Sequence, residues 1–302
     1  MENSGTIDPH LSIYITTYKR SHKQSTLSNL PADISKQVYL VVRASELQLY
    51  EGYRYRCKDI LVLPDSVDTF AKTRQWTFEH CQTTYLLFLD DDLTFSMRKG
   101  ENREDGVRKM LLTDEFEVMF RELVERAREK NLAHLTISPA EVNRWRKKTD
   151  WYLNDKRYMR FYMYNKLILL KEKIEVSRVS MMLDFDVALQ LLSKGYPFDM
   201  SFKYIHDHES SNAPGGCSEE RDTLDPDGLK EATALQSFHP EFVSIVKKNT
   251  KHSWNGKPRW DVRIAWKKAY KASKGKCQGC DEPIQENVSC CEPVSARQLH
   301  PD

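Results

Sequence analysis

Apolar residues in the first third of the chain fall in short, nearly unbroken runs, each closed by a polar, basic or proline residue. Leu11–Thr17 ends in Tyr18-Lys19-Arg20-Ser21, Val38–Val42 ends in Arg43, and Ile60–Leu63 stops at Pro64. Runs this short and continuous predict strands buried on both faces, as in a parallel sheet. Between Thr69 and Cys81, Phe70, Ala71, Trp76 and Phe78 fit a short helix, and the run Tyr85–Leu89 follows it. The alternation predicts four strand-helix units before residue 95, in a mostly parallel sheet flanked by helices. Met97–Thr113 is charged and contains glycine, which predicts a mobile loop. Glu115–Asn131 places Phe116, Met119, Phe120, Leu123, Val124 and Ala127 on one helical stripe with a core role.

The fourth run leads straight into Asp90-Asp91-Asp92. Three adjacent carboxylates repel one another and are costly at the edge of a core unless a cation or a hydrogen-bonding ligand offsets them. Open α/β sheets bind ligands beyond the carboxyl ends of their strands, and oxygen donors suit Mg2+ or Mn2+. An acidic turn after a strand is the alternative. A second pair, Asp184 and Asp186, sits at the start of a helix predicted within Met181–Tyr196, with Gly195 just past its end. Helix capping alone would explain one of these acids. His206 and His208 alternate in the strand-like run Lys203–His208, so they point the same way, and either could complete a metal site begun by the triplet.

Composition narrows the picture further. Lys and Arg total 46 against 44 Asp and Glu over 302 residues, so binding to a polyanion must come from local patches. The length allows one large catalytic unit with an appendage. No apolar window reaches the roughly 18 residues of a membrane span and the start lacks a signal pattern, so a cytoplasmic protein with reduced thiols is expected. Four of the seven cysteines lie between Cys277 and Cys291. Cys277 and Cys280 have the spacing of half a Zn2+ site, but adjacent Cys290 and Cys291 are poorly placed for the other half, even with His300 available. A flexible tail with free thiols is the expectation for 277–302.

Thr16-Thr17-Tyr18-Lys19-Arg20, Lys72-Thr73-Arg74-Gln75, Phe88-Leu89-Asp90-Asp91-Asp92, and Leu183-Asp184-Phe185-Asp186-Val187 before Gly195-Tyr196 recur in the order and spacing of family-2-like GT-A glycosyltransferases, which the chain resembles over roughly 11–210. The resemblance implies a GT-A fold over 1–246, a Rossmann-like mostly parallel sheet, with 247–276 as a basic helical extension. It also implies transfer of a sugar from a nucleotide diphosphate donor, a UDP-linked sugar, assisted by Mn2+ or Mg2+. On this reading Asp92 is the metal ligand, with His206 or His208, and Asp90 holds the ribose or a metal-bound water. Thr17, Arg20, Arg43, Arg74 and Asp91 line the nucleotide side. Asp184 matches the general base and Asp186 is the second choice, because Leu183 stands where the family has Glu. One base serving a direct displacement implies inversion at the anomeric carbon.

Leu135–Pro139, the loop Asn212–Ser218 with Gly215, Gly216 and Arg221, and Trp260–Tyr270 further resemble phage glycosyltransferases associated with TET-type hydroxylases. That resemblance implies an acceptor hydroxyl on a hydroxymethylated pyrimidine in DNA, in an infected host cell. Arg144-Trp145-Arg146-Lys147-Lys148, continuing through Trp151 and Tyr152 to Arg160, Phe161 and Tyr162, interleaves cations with aromatics, as a surface for phosphates and unstacked bases would. Gly215-Gly216 could turn backbone N–H groups toward a phosphate, or form a plain turn. The basic stretch from Lys247 to Lys276 fits DNA contact or an amphipathic helix docked through Val262, Ile264, Trp266 and Ala269. A polysaccharide, protein or small-molecule acceptor, or a non-catalytic nucleic-acid-binding protein, are the alternatives. A nucleotidyltransferase would normally carry a glycine-rich phosphate loop near its N-terminus, and no glycine lies between Leu11 and Lys23.

Overall fold

The computed structural model describes residues 7–145, 147, 151–154, 159–208, 216–249 and 258–272. Strands β1 (Leu11–Thr16), β2 (Val38–Arg43), β3 (Asp59–Leu63) and β4 (Tyr85–Leu89) are the four apolar runs. They pair in parallel, in the order β3-β2-β1-β4. The connections carry α1 (Ser25–Asn29), α2 (Ala32–Ser35), α3 (Leu47–Tyr50) and α4 (Phe70–His80). Every residue of β1 and β4 is buried, and alternate side chains serve two separate cores. Ile13, Ile15, Leu87 and Leu89 face one side and Tyr14, Leu86 and Phe88 the other, which is why these strands read as continuous apolar runs.

The sheet then turns mixed. Strands β5 (Leu93–Arg98) and β6 (Val107–Lys109) occupy the stretch expected to be a mobile loop from Met97. Helix α5 (Thr113–Glu129) follows, its six-residue apolar stripe fully buried as expected, and Phe116 meets Phe95 edge-on at 5.4 Å. Each of the larger stripe side chains contributes roughly 1.5–3 kcal/mol by burial. Glu115 accepts the free N–H groups of Leu111 and Leu112 at the helix start, and Asn131 leaves the far end with a positive φ.

Next come β7 (His134–Pro139), α6 (Ala140–Asn143), β8 (Trp151–Asn154), β9 (Phe161–Asn165), α7 (Lys166–Lys171), α8 (Leu183–Ser193) and β10 (Phe198–His208). Strand β9 inserts antiparallel between β4 and β7, β10 runs parallel to β7, and β5 and β6 close the edge. Phe161 and Tyr162 therefore belong to a central strand and not to a nucleic-acid surface, and Phe161 is fully buried.

Past β10 lie α9 (Cys217–Leu224), α10 (Leu229–Phe238), a hairpin of β11 (Val243–Lys248) and β12 (Arg259–Ile264), and α11 (Trp266–Ala272). Among the described residues of the expected helical extension, Arg259–Ile264 is a strand paired with β11 and Trp266–Ala272 is helical; Val262 and Ile264 pair across with Ile245 and Val243. Together with α8 and α10 this ribbon closes a third apolar cluster. Residues 277–302, with the four clustered cysteines, lie outside the described residues. Cys57 and Cys81 are buried free thiols.

Candidate active site

The carboxyl ends of β1, β2 and β4 lie side by side, so the loop after Thr16, Arg43 and the acidic triplet meet at one edge of the sheet. Strand β10 pairs antiparallel with β5, placing His208 opposite Leu93 and so beside the triplet.

The three acids have separate environments. Asp91 turns inward and is 4% exposed, accepting from Thr17 Oγ1 at 2.6 Å and Arg20 Nη1 at 2.7 Å. Gln24 Nε2 and the Tyr50 hydroxyl hold Thr17 in turn, at 2.8 and 3.0 Å. Desolvation raises the Asp91 carboxyl against the pull of Arg20 and Thr17. Asp91 thus braces the β1 loop through Thr17 and Arg20. Asp92 accepts from the same Arg20 nitrogen through Oδ2 at 3.0 Å, while its buried Oδ1 has no protein partner. Asp90 pairs with Arg74 at 2.9 Å and keeps 32% of its side chain open to the cleft. Desolvation pushes it up to about 6; Arg74 opposes this and the charge of Asp92 adds to it. Arg20 and Arg74 offset the triplet's self-repulsion, which one strand end could not tolerate alone.

The two histidines differ. His206 is fully buried, its ring parallel to Phe161 at 6.5 Å, and desolvation with nearby Arg160 and His208 pushes it down to about 3. It packs in the core with both ring nitrogens buried and without a hydrogen-bond partner. His208 is half-buried with Nδ1 unpartnered; desolvation and Arg160 lower its pKa while the charge of Asp92 acts to raise it. Among the described residues no group of three or more His, Cys, Asp or Glu could hold a metal ion. Asp92 Oδ1 and His208 Nδ1 nevertheless fit one. Both atoms are buried without a hydrogen-bond partner, His208 Nδ1 lying 4.0 Å from Asp207 Oδ1; one is a carboxylate oxygen and the other an imidazole nitrogen, and Mg2+ sites often take most ligands from phosphate and water.

Asp184 sits in the first turn of α8 and lines a cleft with Phe70, Arg74, Phe88, Tyr162 and Tyr164. The Arg74 guanidinium stacks on Phe88 at 4.4 Å and Phe70 at 5.0 Å. Burial raises the Tyr162 hydroxyl strongly, and Asp184 and Asp90 both add to the shift, so the two carboxylates act on one wall. Asp186 points the other way. It is fully buried, held by Arg178 at 2.5 and 3.1 Å, His239 at 2.7 Å and Gln190 at 2.9 Å. The bonds from His239 and Arg178 overcome desolvation and lower its pKa. With its lone pairs committed, Asp186 braces α8 against α10 and is not the base.

Asp186→Asn is accordingly expected to cost about 3 kcal/mol, as when one member of a buried ion pair is removed. Its folded pKa lies below the unfolded value, so its contribution is complete above about pH 4 and is lost as the pH falls further. Thermal melts should show a gap from wild type at pH 7 that narrows below pH ~4. A gap that widened in acid would remove this assignment.

The remaining expected residues are spread more widely. Arg43 pairs with Glu220 of α9 at 2.8 Å and lies over the Tyr18 ring at 3.7 Å, while Glu220 also accepts from Phe70 N at the start of α4. Gly216 donates to Tyr18 O at 2.8 Å with φ +69°, and a Cβ there would meet the Arg20 guanidinium at 3.1 Å, so glycine is required for this approach. Gly215 lies outside the described residues. Arg221 contacts Asp222 at 3.1 Å and lies near Arg259. Arg144, Trp145 and Lys147 are exposed beyond α6, with Arg103 over the Trp145 ring at 5.9 Å; Arg146 and Lys148 lie outside the described residues. Sequence patterns do not mark Thr26 or Tyr50. Thr26 donates to Asp90 O and accepts from Leu93 N, fixing the turn that carries the acids, and its hydroxyl comes near the triplet in space and not in sequence.

Residues 11–214 match the family described as TET-Associated Glycosyltransferase. The Beta-glucosyl-HMC-alpha-glucosyl-transferase of Enterobacteria phage T6 is 28% identical over 246 residues, covering 80% of this chain and 84% of that protein. Its namesake from Enterobacteria phage T2 is 27% identical over 248 residues with the same coverage. Among solved structures, S. aureus TarS 1-349 in complex with UDP-GlcNAc aligns with a TM-score of 0.44 at 12% identity, over 76% of this chain and 71% of that one.

Proposed function

The chain belongs to the TET-associated glycosyltransferase family, and from that premise we propose that it moves a hexosyl group from a UDP-linked sugar to hydroxymethylcytosine in DNA. The observation that carries this reading is the shared cleft, where Arg74 and Tyr162 lie between the acidic loop of β4 and Asp184 of α8. The donor's diphosphate belongs beside Arg20, with Arg43 and Tyr18 toward the nucleotide. Asp90 and Arg74 supply hydrogen bonds for ribose or sugar hydroxyls.

Asp92 and His208 would hold a divalent cation, Mn2+ or Mg2+, which supplies charge neutralisation to the departing diphosphate. Asp184 accepts the proton of the acceptor hydroxyl as that oxygen bonds the anomeric carbon and the bond to phosphate breaks, its electron pair leaving on the diphosphate. A single displacement of this kind inverts the anomeric centre, which the coupling constant of the product's anomeric proton tests.

The exposed residues Arg144, Trp145 and Lys147 beyond α6 offer two cations and an indole to DNA, and Trp145, 73% exposed, offers a face to an unstacked base. A base in a duplex must leave the stack to reach the cleft. No helix among the described residues is long and apolar enough to cross a membrane, and the proposed site of action is the cytoplasm of an infected host.

The relatives' shared name contains two glucosyl units, which favours a second reading in which the acceptor hydroxyl belongs to a glucose already on the base. Mass spectrometry of nucleosides decides between them. DNA carrying hydroxymethylcytosine, with and without a first glucose, is incubated with the protein, Mn2+ and a panel of nucleotide sugars. A hexose gained by the unglucosylated base supports direct transfer, and a gain only on the glucosylated base supports the second reading. Donor hydrolysis with no gain on either would move the acceptor to a polysaccharide, protein or small molecule.

A further inference from the structure

The whole chain is almost neutral, with 46 basic against 44 acidic residues. Its C-terminal unit is not. Among the described residues from Val243 to Ala272, Lys247, Lys248, Arg259, Arg263, Lys267, Lys268 and Lys271 are set against a single carboxylate, Asp261. This unit lies beyond the segment that matches the family.

The ribbon has two chemically distinct faces, set by its register. The pairs Val243–Ile264 and Ile245–Val262 pack inward with Trp266 and Ala269 onto α8 and α10. The pairs Ser244–Arg263, Val246–Asp261 and Lys248–Arg259 fall on the opposite face, and Lys267, Lys268 and Lys271 are exposed on α11. Closing the core requires only the inner face. On this outer surface cations outnumber carboxylates: Asp261 is its single acid, paired with Lys248 at 2.7 Å, and Arg263 and the α11 lysines stand in excess.

The unit is also mounted on the helix of the candidate base. Trp266 meets Phe185 at 5.7 Å, and Phe185 directly follows Asp184. The ribbon and α11 are thus packed on the helix that carries Asp184.

We propose that the β11–β12 ribbon and α11 grip the phosphate backbone of the acceptor DNA beside the nucleotide presented to Asp184. This rests on the reading that DNA is the acceptor. Two-stranded ribbons fit duplex grooves, and surfaces with an excess of lysine and arginine bind phosphates by releasing counterions.

The test is the combined replacement of Lys248, Arg263, Lys267 and Lys271 by glutamine, none of which packs into the core. Transfer to hydroxymethylated duplex DNA is measured between about 50 and 200 mM salt. The KM for DNA is expected to rise about tenfold or more, and the log–log salt slope to flatten by roughly 3–4, near 0.9 for each phosphate no longer neutralised. Donor hydrolysis without DNA and the melting midpoint report that fold and donor site persist.

An unchanged KM and salt slope, with the wild-type protein modifying DNA, would overturn the ribbon's role and leave the function standing. No transfer to any DNA by the wild-type protein, with donor hydrolysis intact, would overturn both. Loss of binding to phosphatidylserine vesicles in the variant with DNA kinetics unchanged would reassign the face to an anionic membrane.

Discussion

Asparagine at position 184 is expected to lower sugar transfer by about 10²–10⁴-fold, the usual contribution of a positioned general base, while donor affinity and the melting midpoint stay near wild type. The expectation comes from where α8 aims its first turn. Asp184 lines the aromatic cleft opposite Arg74, whereas Asp186 is enclosed by Arg178, His239 and Gln190. An amide at 184 keeps the shape of the side chain and loses its ability to take a proton, so the damage falls on kcat and not on folding. The pair of variants separates the two acids cleanly. Asp184→Asn loses turnover and keeps stability; Asp186→Asn loses stability, and whatever folded enzyme remains keeps a base in place. Near-normal turnover of Asp184→Asn, measured by single-turnover transfer at saturating donor, would take the base out of α8 altogether.

That distinction is not legible in the sequence, and the reason is geometric. Residues two apart on an α-helix lie roughly 200° from one another, so of Asp184 and Asp186 one must face the cleft and the other the core. Which one does so depends on α10, whose His239 comes from 53 positions further along the chain. The triplet poses the same problem on a strand end. Its position after Leu89 is legible because an apolar run ends in charge, but the division of labour among the three acids is set by Thr17 and Arg20 of the β1–α1 connection and Thr26 of α1.

Strands are legible where burial on both faces makes continuous runs, as in β1 and β4, and obscure elsewhere. Strand β5 alternates Leu93 and Phe95 with Thr94 and Ser96, and β6 is exposed throughout, so neither stands out from the charged stretch around it. Strand β9 resembles part of a basic-aromatic surface because tyrosine and phenylalanine serve a central strand and a base-stacking platform equally well. The lysines of the basic stretch suggest a helix, and the signal that opposes them is the β-branched alternation of Val243, Ile245, Val262 and Ile264.

Asn in place of Asp92 is expected to reduce cation-dependent transfer by about 10³-fold, comparable to removing a principal stabiliser of transition-state charge. Asp92 has one oxygen engaged by Arg20 and one buried oxygen with no protein partner, and His208 beside it has a buried nitrogen likewise without a hydrogen-bond partner. Burying two such atoms unsatisfied costs stability, and a divalent cation would recover that cost on binding while neutralising the donor's diphosphate. The asparagine preserves the contact to Arg20 through its carbonyl oxygen, so the loss isolates the missing charge. His208→Ala should raise the Mn2+ concentration needed for half-maximal donor binding by about 10–100-fold, the range seen when one supporting group of a metal site is lost. Asp91→Asn gives the contrast: with Asp91 buried against Thr17 and Arg20, its removal should loosen the β1 loop and lower the melting point without changing the cation requirement. Wild-type transfer that continues unchanged after chelation with EDTA would end the metal assignment, and the Arg20 guanidinium would then have to stabilise the diphosphate without a cation.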